Sequence, residues 1–308
     1  MAALTELVER ISRGEVVVID GGTGTEIQRR GVAMHADTWC ADANLSAPDV
    51  VRDVHRAYID AGAELIIANT FATSPYLFAT IGRADDLAVI DAAAVRLARE
   101  AAAGRVPVAG SMSSMRPMDG GTIPWGDREA RDGYRRKADG LADAGADLIV
   151  MEMMGDADDS VVATAAAMAT GLPVWVGISV ERDEHGALTG WRRPTCPASD
   201  IVDALVATRP SLVAVMHTAA DDTTDALELV RSRFDGPLGT YPESGYFAPP
   251  DWVFHDVITN DDLVEATRTW IRRHGVSVVG GCCGTTPEHI AALCTSLRQD
   301  DGARPFIS

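Results

Sequence analysis

Along the chain, short apolar runs alternate with longer Ala-rich stretches of helical period. The runs rich in Val and Ile are VVVID (Val16 to Asp20), ELIIANT (Glu64 to Thr70), PVAGSM (Pro107 to Met112) and DLIVMEM (Asp147 to Met153). They continue with PVWVGIS (Pro173 to Ser179), SLVAVMH (Ser211 to His217), PLGTYP (Pro237 to Pro242) and VSVVGGCC (Val276 to Cys283). Near-continuous apolar runs of this length suit strands buried on both faces, as in a parallel sheet. Between two of them, Val50, Val51, Val54, Ala57, Tyr58 and Ala61 fall on one helical face. Ser46 with Pro48 predicts the start of that helix and Gly62 its end, and Thr286 with Pro287 opens the last helix in the same way. Gly104, Gly145, Gly171 and Gly275 each fall between a helix and the next strand, where a left-handed cap is needed.

Eight β–α units in 308 residues predict a (β/α)8 TIM barrel of the α/β class, a single domain over residues 1–308. Segments leading into the strands are short, whereas several leaving them are long: Ser113 to Asp127, Val180 to Ser199 and Glu243 to Asn260. A barrel carries its active site at the C-terminal ends of its strands, so these loops mark the functional face. The first residues, Ala2 to Gly14, predict an extra helix closing the opposite end.

Charge and cysteine usage narrow the partners. With 27 Lys and Arg against 45 Asp and Glu, the net charge is −18. Such a field repels phosphate backbones and anionic lipid, so nucleic acid and membrane are disfavoured while a cationic small molecule is attracted. No secretory signal is visible at the start, and no apolar run approaches the roughly 20 residues that cross a bilayer. The five cysteines include the adjacent pair Cys282 and Cys283 and form no disulfide framework. They read as thiols kept reduced in the cytoplasm, with Cys40, Cys196 and Cys294 as small buried apolar residues. A homo-oligomer is compatible with this composition.

Four strand ends deliver polar groups to one rim: Asp20, Glu152, His217 and the Cys282–Cys283 pair. Charge ending a buried apolar run needs a partner. The adjacent thiols in GGCCGTTPEHI can reach one metal only if the backbone bends tightly, which Gly280, Gly281 and Gly284 permit. A soft pair of sulfurs selects zinc among common intracellular metals, and a catalytic tetrahedral site needs a third protein ligand and an open position. His217 is the best-placed third ligand. Zinc with an open position suggests activation of a bound thiol, a strong nucleophile towards a methyl group on a cationic leaving atom. Aromatic faces suit such a cationic donor, and the long loops supply Trp39, Tyr76, Trp125, Trp191, Tyr246, Phe247 and Trp252.

These motifs resemble those of the homocysteine S-methyltransferase family, the zinc-dependent barrels that include betaine–homocysteine and S-methylmethionine–homocysteine methyltransferases. The resemblance runs from DGGTGTEIQRRG to GGCCGTTPEHI through AYIDAGAELIIANTF, LADAGADLIVMEMM and TYPESG. It implies that Asp20 and Glu152 hold the ammonium of homocysteine, that Gly21, Gly22 and Thr23 approach the amino acid, and that Cys282 and Cys283 ligate zinc. Two positions depart from the family. Its third zinc cysteine is replaced by His217, which makes the ligand set less negative by one unit and raises the metal's Lewis acidity. Its usual Asn in the TYPESG stretch is replaced by Glu243.

Two other readings compete. VVGGCCGTTP can serve as a phosphate site in an isomerase- or aldolase-like barrel, although the only lysine, Lys137, lies inside a predicted helix and not at a strand end. Alternatively, the chain is a non-catalytic or repurposed barrel that binds an amino acid or phosphate, with an altered or lost zinc site.

Overall fold

Eight parallel strands are hydrogen-bonded side by side: β1 (Val17–Val18), β2 (Ile66–Ile67), β3 (Val108–Ser113), β4 (Leu148–Met154), β5 (Val174–Ile178), β6 (Leu212–Ala219), β7 (Leu238–Glu243) and β8 (Val276–Val279). The computed structural model describes residues 2–113 and 127–303. Spatial order runs β1-β8-β7-β6-β5-β4-β3-β2. A parallel bridge between Ile19 and Leu65, flanked by Asp20 N donating to Leu65 O at 3.1 Å and Glu64 N to Val18 O at 2.7 Å, joins β1 to β2 and closes the barrel. Helices follow every strand, from Pro48–Asp60 after β1 to Pro287–Ala303 after β8, which is the expected (β/α)8 architecture.

The strand residues divide by parity. Leu148 and Val150 of β4, and Leu212, Ala214 and Met216 of β6, fill the barrel interior. Ile149, Met151, Val213 and Val215 pack outward against the helices. Double-sided burial explains why these strands read as unbroken apolar runs. The helix Ala2–Ser12 inserts Leu4, Leu7 and Ile11 into the interior cluster and plugs one end of the barrel, as expected.

Some local expectations are corrected. Ser46 does not cap the helix that starts at Pro48; it ends the short helix Ala43–Ser46, and its hydroxyl turns back to the Asp42 carbonyl at 3.0 Å. Two of the long loops carry strands of their own. Val180 to Ser199 forms a three-stranded antiparallel sheet (Val180–Arg182, Leu188–Gly190, Arg193–Pro197), and Glu243 to Asn260 contains a hairpin (Tyr246–Ala248, Asp251–Val253). The interior of the third long loop, with Trp125, lies outside the described residues. Cys40 and Cys294 are buried as expected, but Cys196 is only half-buried, on the last of the three antiparallel strands. Among the described residues, no helix is long and apolar enough to cross a membrane.

Candidate metal centre and substrate pocket

Two strands end in the same irregularity. In β4, Met151 faces Val176 and Met154 faces Ile178, so β4 holds one residue more than β5 over this step. In β6, Met216 faces Tyr241 and Ala219 faces Glu243, again one residue more than β7. Each bulge holds a non-glycine residue in the left-handed region, Met153 at φ 56° and His217 at φ 43°. Bulges near active sites re-aim side chains, and such backbone persists only where its surroundings over-determine it. Strict alternation after Met216 would turn His217 outward to the helices; the bulge brings it into the barrel mouth.

There His217 meets the two cysteines. Its Nδ1 lies 3.4 Å from Cys282 Sγ, and the donor atoms of His217, Cys282 and Cys283 all fall within 4.8 Å of one another. The far nitrogen, Nε2, lies 2.9 Å from Glu243 Oε2. Two indole rings pack edge-on against the imidazole, Trp191 with centroids 5.0 Å away and Trp252 at 5.7 Å. The cysteine pair sits on a turn tied down on both sides. Gly281 N donates to Asp20 O at 3.1 Å, Cys282 N to Pro242 O at 2.9 Å, and Ser244 N to Cys283 O at 2.9 Å. At Gly284, φ is +83° and a β-carbon would lie 1.8 Å from Ser244 O, so only glycine fits this turn.

The donor set fits a metal. Bond lengths of about 2.3 Å to sulfur and 2.0–2.1 Å to nitrogen in a tetrahedron place those atoms about 3.5 Å apart, close to the 3.4 Å separation between His217 and Cys282. The cluster also favours a cation electrostatically. Burial opposes protonation of His217, yet the Glu243 carboxylate and the Cys282 sulfur raise its imidazole to about 10. Cys283 alongside, together with burial, holds the Cys282 thiol far above its ordinary range.

The same cavity, about 450 Å³, is lined by Gly21, Gly22, Thr23 and Glu152 together with the three metal-type donors. Thr23 Oγ1 is buried with no protein partner among the described residues and is free for a ligand. Glu152 receives a hydrogen bond from Ser111 Oγ. Burial pushes its carboxyl up to about 7. Asp20 does not line the cavity wall; it lies behind it, buried, with Oδ2 accepting from Ile67 N at 2.8 Å.

Aromatic rings form the outer wall. Trp39, Tyr76, Trp191, Phe247 and Trp252 line the cavity, joined by Phe71, which the sequence reading overlooked. Ring centroids of Trp39 with Phe71, of Trp39 with Phe247 and of Phe247 with Trp252 are each 6.4 Å apart. Tyr246 is not part of this wall. Alternation along the hairpin leaves it 54 % exposed while Phe247 enters the cavity.

The phosphate reading fails on the backbone. Gly280 N and Cys282 N donate to carbonyls of β7, Gly281 N to Asp20 O and Gly284 N to Thr25 Oγ1, which leaves these amides engaged within the protein. Lys137 lies on the helix Asp127–Asp143, not on a strand, and is paired with buried Asp91 at 2.6 Å.

Comparison with known proteins agrees with the geometry. The family model for homocysteine S-methyltransferase matches residues 17–297. A homocysteine S-methyltransferase of Escherichia coli is 30 % identical over 92 % of this chain and 96 % of its own. Homocysteine S-methyltransferase 4 of Zea mays is 29 % identical over 93 % of this chain and 90 % of its own. The metallated crystal structure of the Escherichia coli homocysteine methyltransferase MmuM superposes with a TM-score of 0.74 at 25 % identity, covering 91 % of this chain and 96 % of that one. With its closed barrel, its clustered thiols and this match over nearly its whole length, the chain belongs to the homocysteine S-methyltransferase family.

Proposed function

We propose that the chain is a zinc-dependent methyltransferase that moves a methyl group from a cationic sulfonium or quaternary ammonium donor to homocysteine, giving methionine, within one barrel domain. The observation that carries this reading is that a Cys2His donor cluster, a buried carboxyl and a wall of aromatic rings share one cavity. Zinc held by His217, Cys282 and Cys283 would supply a lowered pKa to the acceptor's thiol, so that it reacts as thiolate.

The protein's own groups do the rest. Glu152 in the wall, with Asp20 behind it, binds the acceptor's ammonium; Gly21 and Gly22 let the amino acid approach the backbone, and Thr23 Oγ1 offers it a hydrogen bond. The rings of Trp39, Phe71, Phe247 and Trp252 hold the donor's positive charge by cation–π attraction and exclude water. Acceptor sulfur and donor methyl are thereby held in line. The sulfur's electron pair forms the new S–CH3 bond while the methyl's bond to its cationic sulfur or nitrogen breaks. The leaving atom keeps that pair and becomes neutral, and the acceptor's thiol proton passes to solvent. Five free thiols suit a reducing compartment such as the cytoplasm.

The test is zinc analysis of the purified chain, then calorimetric titration of the zinc-loaded protein with homocysteine, then methionine formation from S-methylmethionine and from betaine. Roughly one zinc per chain, saturable heat and methionine from one of these donors are expected. A zinc-loaded chain that takes up no homocysteine and forms no methionine overturns the reading.

A further inference from the structure

His217 and Glu243 lie on different strands and touch each other. The β6 bulge places Glu243 across from Ala219, two residues beyond His217, and His217 Nε2 lies 2.9 Å from Glu243 Oε2. The opposite nitrogen, Nδ1, is the one 3.4 Å from Cys282 Sγ. Both side chains are largely enclosed, with 5 % and 18 % of their surfaces exposed.

We propose that Glu243 is a positioning residue for the metal centre: its carboxylate accepts a hydrogen bond from His217 Nε2–H and leaves Nδ1 as the ligand atom facing Cys282 and Cys283. This rests on the proposed metal-binding role of that cluster. A ring nitrogen is fixed as ligand by the hydrogen bond the other nitrogen makes, and a carboxylate partner raises the imidazole's basicity. The pair also balances charge. A neutral imidazole brings no charge to a metal, and the carboxylate one hydrogen bond further out adds a negative charge to the centre. Trp191 and Trp252, edge-on against the ring, keep it from rotating away.

The test uses metal alone, without homocysteine or a methyl donor. Zinc affinity is measured by chelator competition for the wild type, Glu243→Gln, His217→Cys and the double variant, alongside the visible absorption of the cobalt-loaded proteins. Loss of such a partner typically weakens metal binding 10- to 100-fold. Glu243→Gln should show that loss and a shifted cobalt spectrum, with the metal-free barrel still folded by circular dichroism. In the His217→Cys background the same change should be silent, because no imidazole remains to orient. Zinc affinity unchanged in Glu243→Gln, or an equal loss in the His217→Cys background, overturns the positioning role while leaving the methyltransferase reading intact. A wild-type chain that binds no zinc overturns both.

Discussion

The Glu152 carboxylate adds to the proton affinity of Asp20: burial raises the Asp20 carboxyl well above its ordinary range, and the neighbouring charge raises it further. Two buried acids coupled in this way suit a shared cationic ligand. If they hold the ammonium of homocysteine, Asp20→Asn and Glu152→Gln should each weaken its binding about 30-fold or more, since deleting one partner of a buried charge-assisted contact costs roughly 2–4 kcal/mol. Zinc content should be unchanged. Calorimetry on the zinc-loaded variants decides the point, and wild-type affinity in both would remove these residues from the binding site.

The same burial gives a pH dependence. Burial raises the Glu152 carboxyl to about 7 in the folded chain, against an ordinary 4.5. Between those values the folded protein holds a proton that the unfolded chain has lost, so stability falls as pH rises through this window and levels off above it. The shift corresponds to roughly 3 kcal/mol. Denaturant unfolding of the metal-free protein from pH 4 to pH 8 should show this slope, and Glu152→Gln should make it shallower between pH 4.5 and 7. Homocysteine affinity should move the opposite way and strengthen as the carboxylate ionises.

Metal retention separates the three donors. Cys282→Ser and Cys283→Ser should lose zinc while the barrel stays folded by circular dichroism. His217→Ala should bind zinc roughly 10-fold or more weakly, and His217→Cys should keep it. Full zinc in both serine variants would place the metal elsewhere.

The turn that carries the cysteines is held by sterics as much as by hydrogen bonds. Gly284 and Gly104 both have positive φ, at +83° and +75°, but a β-carbon at Gly104 meets nothing within 4 Å. Gly104→Ala should therefore cost about 1 kcal/mol, the conformational term alone. Gly284→Ala should cost well beyond that and lower zinc affinity, because Ser244 and the turn must separate. Equal effects of the two substitutions on stability and on zinc would show that the turn tolerates the displacement.

Lys137 holds a different part of the mouth. Its ammonium donates to Asp91 Oδ1 at 2.6 Å, to Thr70 O at 3.0 Å and to Thr73 Oγ1, all buried, and so fixes the segment that carries Phe71. Lys137→Met leaves the Asp91 carboxylate unpaired and should destabilise by about 3–5 kcal/mol. Lys137→Met with Asp91→Leu should recover most of that in urea unfolding; a double variant no more stable than the single one would contradict it.

Barrel architecture was readable because strands buried on both faces leave a local mark: runs such as DLIVMEM and SLVAVMH need no knowledge of their neighbours. The cysteine pair and the rim acid Glu152 were readable for the same reason, since a polar group ending such a run has few other uses. What depended on register was not. His217 could be named as a strand-end donor from its place in SLVAVMH, but alternation would send it outward, and only its pairing against β7 shows the extra residue that brings it to Cys282. Glu243 stood out as an oddity with no visible partner, because contact between residues 217 and 243 follows from how two strands align. The strands at Val180–Arg182 and Tyr246–Ala248 are only three residues long, so they read as loop, and the inward turn of Phe247 over Tyr246 went unseen. Phe71 directly follows the run ELIIANT and lies in none of the long loops named from the sequence.

The two bulges have an architectural consequence. Each absorbs its extra residue at the rim, so Leu148 and Val150 below one, and Leu212 and Ala214 below the other, keep their inward places undisturbed. Reactive chemistry and structural support thus occupy separable layers of the same strand. A side chain at one strand end can be matched by one at the next, as the His217 imidazole is by the Glu243 carboxylate, without rebuilding anything beneath. The barrel behaves as a socket whose contacts can be rewired in adjacent pairs, which leaves new acceptor and donor chemistries within reach of a few substitutions around its mouth.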